Sequence, residues 1–417
     1  MPATGSLVFM DFEIRAIDES EVQLFRTKLT RGFGGDLDDK DEDGSERFRA
    51  IVPLARTRAA FAGTEMIGTL ACFPFTLSIP GGSIAMGGTT MITVKPTHRR
   101  RGALRAMMLD HLDDVRVAGE PVAGLWASEG SIYGRFGFGI ASHRHEIELD
   151  AGLVHFTEQD TEGDIRLIET DQAADVLPGV YERLQRSRPG MLSRTAPYWK
   201  WSVLYDPERW REGKSAWRFA IHRGGDGDDG YVMYRQKEKW EGFLSRGRIS
   251  VGELIAVTPA AHDALWRYLT SIDLFPQVTF WNQPVDDELA WRITDQRRVA
   301  RKVWDGLWIR ILDVPTALAA RAYAVDGSIR IGITDDLYPD NDGTYEIVSV
   351  SGESECHKVD GDADLFMKVE ALGAVYLGGQ RLGPLARARR VHGTAEAIRT
   401  ADGFFGWDPA PWCAELF

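Results

Sequence analysis

The sequence predicts a mixed α+β protein built from two or three domains. Its 417 residues exceed what one hydrophobic core usually serves, because single cores stop growing at roughly 250–300 residues. Segments with the apolar pattern of strands are interleaved with segments of helical periodicity along the whole chain. Hydrophobic residues make up 44% of the chain and charged residues 27%, which is the balance of a folded globular protein.

The first domain is expected over residues 1–150. "DFEIRAI" (11–17) predicts a strand, and 18–34 predicts a short helix that runs into a loop. Three β-rich stretches, "TRAAFAG", "EMIGTLACFPFTLSIP" and "SIAMGGTTMITVKP", predict an antiparallel meander. A helix follows Gly102, since the apolar residues recur at helical spacing: Leu104, Met107, Met108, Leu112 and Val115. "PVAGLWAS" predicts a buried strand, "SEGSIYGRFGFG" a turn or short helix, and "SHRHEIELD" (142–150) a last strand.

The remainder of the chain divides into two further regions. Residues 151–300 contain a helical segment, "AADVLPGVYERLQRS", a hairpin-like pair, "SAWRFAIHR" and "GYVMYRQK", a strand, "GELIAVT", and a second helix, "AAHDALWRYLTSI". We place a third region at 301–417, beginning with the strand and proline-entered helix of "LWIRILDVPTALAARAY". Its β-rich segments are followed by a helix-like stretch at 383–393.

Composition narrows the class of function. A net charge of −13 and a pI near 5.3 argue against a nucleic-acid-binding protein, which needs Lys and Arg to neutralise phosphates. No run of roughly 18 apolar residues predicts a membrane span, and the N-terminal stretch lacks a basic flank, so we expect a cytoplasmic protein. Cys72, Cys356 and Cys413 are odd in number and widely spaced, which predicts neither a disulfide framework nor a metal site.

An acidic loop lies at 34–47, "GGDLDDKDEDGSER". One interpretation is a solvated, mobile connection, because such charge runs seldom pack. The other is an electrostatic lure for amines, with Phe33 as an aromatic wall at its edge and Asp36 among its carboxylates. Both interpretations stay open from the residues alone.

The chemistry centres on "KPTHRRRGALRAMM" (95–108). The first turn of a helix exposes backbone N–H groups that no intrahelical carbonyl satisfies, and a pyrophosphate can dock on them. Gly102 allows close backbone approach, while Arg99 with Arg100 or Arg101 can fork onto phosphate oxygens. Taken alone the run could be a solvated basic turn, but a strand before it and a helix after it favour a phosphate cradle.

This run and "PVAGLWASEGSIYGRFGFGIA" downstream resemble the enhanced intracellular survival (Eis) acetyltransferases, a branch of the GNAT N-acetyltransferase superfamily. The loop departs from the general superfamily pattern R-x-x-G-x-G/A at Leu104, where the Eis branch accepts bulky residues. The resemblance implies two tandem GNAT-like regions and a C-terminal region resembling sterol carrier proteins. It also implies acetyl-CoA as cosubstrate, no metal, and a homohexamer.

The resemblance carries specific roles onto this chain. The pantetheine would meet strand residues Met91, Ile92 and Val94, and the pyrophosphate would meet Arg99, Arg100, Gly102 and Ala103. The acyl end would be bordered by Ser128, Glu129 and Gly130. Tyr133 would be the general acid, and the C-terminal carboxylate of Phe417 the general base. Trp199, which is otherwise interpreted as a core or interface anchor, would help wall the amine pocket near Asp36.

The chemistry of acetyl transfer suits these groups. A tyrosine of pKa near 10 can protonate a departing thiolate whose thiol has a pKa near 8.5. The chain ends on the apolar "DGFFGWDPAPWCAELF", so its terminus is expected to dock, which draws the α-carboxylate toward the interior. A half-buried tyrosine and a terminus docked for stability alone are the structural alternatives.

We therefore expect an acetyl-CoA-dependent N-acetyltransferase. Its acceptor would be a multiply cationic, polyamine-like small molecule such as an aminoglycoside, acetylated at one or several amines by direct transfer in a ternary complex. Protein lysines or polyamines are alternative acceptors. A different class of function is a lipid- or ligand-binding scaffold with a vestigial transferase site.

Overall fold

The computed structural model describes residues 12–38, 41–157 and 162–417. The N-terminal domain is built from short helices and a mainly antiparallel sheet. Its elements are β1 (Glu13–Arg15), α1 (Val22–Gly32), α2 (Gly44–Ile51), β2 (Thr57–Ala62), β3 (Glu65–Ile79), β4 (Gly82–Val94), α3 (Ala103–Val117), β5 (Val122–Trp126), α4 (Gly130–Tyr133) and β6 (Gly139–Ile140).

The predicted meander and the helix after it are both present. Strands β2, β3 and β4 pair antiparallel, and β5 joins β4 in parallel after the crossover through α3. The apolar stripe of α3 packs onto this sheet, with Met107, Met108 and Leu112 fully buried. Because the stripe recurs at helical spacing, its burial fixes the rotation of α3 about its axis.

The central domain is a second sheet with helices on its faces. Its elements are β7 (His143–Asp150), β8 (Asp164–Ile168), α5 (Thr170–Gln185), α6 (Ala196–Tyr198), β9 (Arg218–Gly224), β10 (Gly227–Lys237), β11 (Trp240–Glu241), β12 (Leu244–Ser245), β13 (Arg248–Ala256), α7 (Pro259–Ser271), β14 (Gln277–Pro284), α8 (Leu289–Arg292) and β15 (Val299–Asp305). A π-helical turn at Trp199–Val203 follows α6. The strand order in the described residues is β15-β7-β14-β13-β10-β9-β8.

The C-terminal domain carries a third sheet. The chain runs through β16 (Leu307–Ile311), α9 (Val314–Ala320), β17 (Gly327–Thr334), β18 (Gly343–Val350), β19 (Glu353–Val359), β20 (Leu365–Lys368), α10 (Val369–Val375), α11 (Leu382–Arg387), β21 (Val391–Gly393) and α12 (Ala395–Phe405). Among the described residues this sheet has the order β19-β18-β17-β20-β21. The helix-like stretch predicted at 383–393 is therefore half wrong: α11 ends at Arg387, Arg389 adopts a φ of +60°, and β21 follows.

Two strands belong to a different sheet from the one that the predicted domain boundaries imply. The strand at 142–150, assigned to the first region, lies in the second sheet between β15 and β14. The strand at the start of the third region, β16, completes the first sheet between β5 and β6. Apolar patterning identifies a strand but not its partner, so the boundaries at 150 and 300 each divide a sheet. The chain thus passes from the first sheet to the second between β6 and β7 and returns between β15 and β16, so two connections link the N-terminal and central domains.

Candidate active site

The arginine loop connects β4 to α3 through two left-handed residues. Arg100 has a φ of +62° and Gly102 a φ of +93°. An L side chain at Gly102 would be strained by that φ although no atom lies within 4 Å of the place a β-carbon would take, so backbone conformation, not space, selects glycine here. Arg99 donates from Nε to the carbonyl oxygen of Val94 at 3.3 Å, which ties the loop to the end of the strand.

The N-terminus of α3 has no side-chain cap. Gly102 occupies the N-cap position and offers no side-chain acceptor to the first-turn N–H groups of Ala103, Leu104 and Arg105. These residues line a cavity together with Arg99 and Arg100. Unpartnered N–H groups, the positive end of a helix dipole and two guanidinium groups form a donor set that fits a pyrophosphate.

A bulge in β4 opens the sheet beside this loop. Thr69 of β3 pairs with Thr93 and Ala71 pairs with Thr90, so β4 carries one extra residue between these pairs. Met91 within the bulge has a φ of +56°, and its carbonyl oxygen accepts from the Thr69 hydroxyl at 2.9 Å. The ladder between β4 and β5 pairs Met86 with Val122 through Gly88 with Gly124, while the strands continue to Val94 and Trp126. The bulge thus turns the end of β4 away from β5.

The opening leads into a cavity of about 960 Å³. The predicted acid Tyr133 lines it, as do most of the predicted cofactor residues: Ile92, Val94, Arg99, Arg100, Gly102, Ala103, Ser128 and Glu129. Met91 does not, because the bulge directs it against the core on the other side of the sheet. Gly130 lies beside Trp308 and lines a neighbouring cavity. Met91 and Gly130, both predicted cofactor residues, thus lie outside the lining of the main cavity.

Further residues that the sequence patterns did not indicate also line the cavity. The additional residues are Gly32, Gly34, Thr93, His98, Leu104, Arg105, Ile132, Arg135, Phe136 and Leu337. Most of them neighbour predicted residues along the chain, and the periodicity of β4 and α3 could have found Thr93, Leu104 and Arg105. Leu337 comes from the C-terminal domain, and no sequence signal places it beside the arginine loop.

Tyr133 sits at the C-terminal end of α4 and is 4% exposed. Its ring packs edge-on against Phe138 with the ring centroids 6.3 Å apart. Burial raises the pKa of Tyr133 above its ordinary value, and the Ser128 hydroxyl partly opposes that rise. The phenol is therefore protonated at neutral pH, which is the state that an acid requires.

The C-terminus is docked, as its apolar sequence predicts. The ring of Phe417 packs against Phe75 and Phe73 at centroid distances of 5.1 and 6.4 Å. It also approaches Gly88, where a β-carbon would lie 3.2 Å from the ring. The terminal residue therefore contacts β4 at the point where the paired ladder with β5 ends.

The three predicted acceptor residues lie in different places. Phe33 is 62% exposed and lines the main cavity, because Gly32 lets the end of α1 approach Thr93 closely. The Asp36 side chain is 92% exposed and lies 3.7 Å from Arg31. Trp199 is buried in the central domain against Tyr181 and lines a separate cavity there. The structure thus associates only Phe33 with the main cavity.

The acidic loop is partly neutralised by arginines. Asp41 pairs with Arg26 and Arg209, and Arg209 also lies within 3.8 Å of Asp38 and 3.9 Å of Asp43. Residues 39 and 40 of the loop lie outside the described residues. Because Arg209 comes from the central domain, the described carboxylates hold two domains together as well as facing solvent.

Comparison with known proteins agrees with this geometry. Residues 13–141 and 190–311 match acetyltransferase (GNAT) domain models, and residues 314–414 match a sterol carrier protein domain model. The N-acetyltransferase Eis of Mycobacterium tuberculosis is 34% identical over 380 residues, which cover 88% of this chain and 90% of that protein. The chain belongs to the Eis family of GNAT N-acetyltransferases. The predicted enzyme class and architecture are confirmed.

Further relatives and solved structures cover almost the whole chain. An uncharacterized N-acetyltransferase of Streptomyces coelicolor is 36% identical over 416 residues, covering 98% of this chain and all of the relative. The crystal structure of Eis1 from Mycobacterium abscessus superimposes with a TM-score of 0.85 at 30% identity, covering 97% of this chain and 100% of that one. A GCN5-related N-acetyltransferase from Anabaena variabilis, at 20% identity and a TM-score of 0.84, shows the same fold.

The second GNAT domain of this Eis-family enzyme is closed at the equivalent helix start. Helix α7 follows β13, but Thr258 caps it by accepting from the Ala261 N–H, and Pro259 stands at its first turn. The Thr258 hydroxyl donates to Asp229 at 2.6 Å, so a carboxylate occupies the approach. A carboxylate repels phosphate, which leaves the arginine loop of the first GNAT domain as the better anion site.

The described residues give two further findings. They hold no group of three or more His, Cys, Asp or Glu side chains arranged to bind a metal ion. Among the helices of residues 12–38, 41–157 and 162–417, none combines the length and the apolar character that crossing a membrane demands.

Proposed function

We propose that this enzyme transfers the acetyl group of acetyl-CoA to amines of multiply cationic small molecules, with aminoglycosides as the leading class and one or several amines as targets. The observation that carries the proposal is the cavity at the opened β4–β5 edge, where the uncapped start of α3 and the buried Tyr133 meet. Membership of the Eis family supports the same chemistry.

The chain's own groups provide the donor site. The N–H groups of the first turn of α3 and the guanidinium groups of Arg99 and Arg100 bind the pyrophosphate. The end of β4, at Ile92 and Val94, offers backbone groups to the pantetheine. Acetyl-CoA supplies the activated thioester, and the arrangement holds its acyl end toward Ser128 and Tyr133.

The transfer needs one proton acceptor and one proton donor. The amine nitrogen attacks the thioester carbonyl, a C–N bond forms and the C–S bond breaks. The Phe417 carboxylate takes the proton from the amine, and the Tyr133 phenol gives its proton to the departing sulfur. Burial keeps Tyr133 protonated, and docking of Phe417 against Phe75 brings the carboxylate end of the chain to β4.

Direct transfer in a ternary complex is supported by the state of the cysteines. All three are buried, and burial raises the pKa of Cys72, Cys356 and Cys413 to about 12. A thiol of that pKa is almost wholly protonated at neutral pH and is a poor nucleophile. An acetyl-cysteine intermediate is therefore disfavoured at each of these positions.

The proposed acceptor is a cationic amine. The net charge of −13 favours a cationic substrate, although arginines neutralise much of the described acidic loop. Initial rates of thiol release with kanamycin, a histone-like peptide and spermidine discriminate between acceptor classes. A preference for kanamycin supports the proposal. A preference for the peptide would instead indicate protein acetylation, and a preference for spermidine would indicate polyamine acetylation.

The non-enzymatic alternative has its own test. Titration calorimetry with acetyl-CoA on the full chain is expected to show binding at the arginine loop. Loss of that binding in Arg99→Ala, with the fold intact by circular dichroism, would locate the site. Absence of binding by the wild-type protein would favour a ligand-binding scaffold with a vestigial transferase site.

A further inference from the structure

A fully buried ionic cluster lies under the C-terminal tail. Arg194 pairs with Glu253 of β13 on one side and with Glu415 of the tail on the other. The Arg194 side chain is 2% exposed and both glutamate side chains are 6% exposed. Charges are rarely removed from water this completely, because their desolvation is repaid only by close pairing.

The cluster is completed by aromatic side chains of the central domain. Tyr231 donates to Glu253 at 2.5 Å, and Tyr181 donates to Glu415 at 3.1 Å. The Arg194 guanidinium lies 3.8 Å from the centroid of the Tyr181 ring. All three guanidinium nitrogens of Arg194 bond to carboxylates, so the group has fixed position and orientation.

The tail is attached to the central domain just before the cluster. The Trp412 indole donates to the Asn282 carbonyl oxygen at 3.2 Å, and the Asn282 amide donates to the Cys413 carbonyl oxygen at 3.0 Å. Beyond Glu415 the chain reaches the N-terminal domain, where Phe417 packs on Phe75. The tail therefore runs from one GNAT domain to the other.

The terminal carboxylate needs both attachments. Packing of the Phe417 ring fixes its side chain but leaves rotation about the backbone bonds that orient the carboxylate. Leu416 is 63% exposed and restrains the chain little. Glu415 lies two residues before the terminus, within about 7 Å of chain, so fixing Glu415 fixes the direction from which the chain enters the final residue.

We propose that Glu415, held by Arg194 and Tyr181, is a positioning residue for the catalytic carboxylate of Phe417. Through this contact the central GNAT domain, whose own helix start is closed, controls the geometry of the active site in the first. The inference rests on the proposed function of the Phe417 carboxylate as the base. It adds a role for a cluster that would otherwise serve stability alone.

The test compares three variants of the full-length enzyme. Glu415→Ala removes the attachment and leaves Arg194 paired with Glu253. We expect its kcat to fall at least tenfold while the KM for acetyl-CoA stays within twofold. Glu415→Gln keeps an oxygen that accepts from Arg194 and Tyr181, and is expected to retain at least half of kcat. Leu416→Ala, in the same tail but exposed, is the matched control with unchanged kcat.

The outcomes separate positioning from folding. A folded Glu415→Ala enzyme with wild-type kcat overturns the inference, as does an equal loss of kcat in the Gln variant. If the Ala variant does not fold, Tyr181→Phe decides, because it removes only the hydroxyl, whose single proton is shared between Glu415 at 3.1 Å and the Leu192 carbonyl at 2.8 Å. A two- to fivefold lower kcat supports the inference and an unchanged kcat overturns it.

A short polar extension after Phe417 tests the underlying function separately. An inactive extended enzyme together with an active Glu415→Ala enzyme removes the positioning role and keeps the terminal base. A fully active extended enzyme removes the terminal base, and the positioning role falls with it.

Discussion

Gly102 is the position at which one added methyl group should weaken acetyl-CoA binding. Its φ of +93° lies in the left-handed region, and the space around an added β-carbon is open to 4 Å. The substitution Gly102→Ala therefore costs energy through backbone conformation alone. That cost for an L residue is about 1–2 kcal/mol.

The consequence depends on how the loop responds. If the loop keeps its conformation, the free energy of unfolding falls by about 1–2 kcal/mol. If the loop relaxes, the first-turn N–H groups of α3 turn away from the cavity and the same energy is lost from binding. That loss corresponds to a KM for acetyl-CoA raised by roughly 5- to 30-fold.

Gly119 provides the matched control. It follows the opposite end of the same helix, has a φ of +73°, and its β-carbon position is equally open. Thermal unfolding and initial rates of thiol release would be measured for Gly102→Ala, Gly119→Ala and Gly102→Asn. We expect Gly119→Ala to lose stability with an unchanged KM, and Gly102→Ala to raise KM because its loop relaxes. Gly102→Asn should be milder because Asn tolerates this φ. A Gly102→Ala enzyme with wild-type stability, which means a relaxed loop, and with a wild-type KM would refute the cradle.

Four further predictions concern the site and its support. Tyr133→Phe should lower kcat by roughly 100-fold or more in steady-state assays while acetyl-CoA binds normally in calorimetry, and unaffected turnover would remove Tyr133 as the acid. Arg100→Ala should raise the KM for acetyl-CoA whereas Arg101→Ala, which lies outside the cavity lining, should not; equal effects would contradict direct contact. A polar extension after Phe417 should abolish thiol release without changing the melting temperature, and full activity would exclude the terminal base. Burial lowers the pKa of His111 to about 3, below its value of 6.5 in the unfolded chain. Protons therefore bind the unfolded chain more readily, and stability should fall as the pH drops from 6.5 toward 3. Urea unfolding should show a smaller pH slope for His111→Gln, and identical slopes would contradict this origin.

Local patterns in the sequence predicted the arginine loop and its helix well. The strand β4, Gly102 and the apolar stripe of α3 follow one another closely along the chain. Met107 and Leu112 are buried, as their helical spacing requires. The bulge at Met91 escaped prediction, because its left-handed φ depends on pairing with a different strand. The register of a sheet depends on both paired strands, so the sequence of one strand does not determine it.

Non-local contacts account for the remaining differences. Strand β7 lies in the second sheet and β16 in the first because of the strands that they pair with in the folded chain. Apolar patterning does not identify those partners. The acidic loop looked like a free cluster of carboxylates because Arg209, which neutralises Asp41, lies far along the chain. Leu337 reaches the cavity from the third domain for the same reason.

The most direct test is the coupling of thiol release to amine acetylation. The full-length enzyme would be mixed with acetyl-CoA and kanamycin, and free thiol and acetylated product would be quantified together over time. We predict one acetylated amine for each thiol released, dependence on kanamycin, and loss of both signals in Tyr133→Phe. Thiol release without an acceptor, or no release with any of the three acceptor classes, would contradict direct acetyl transfer at this site.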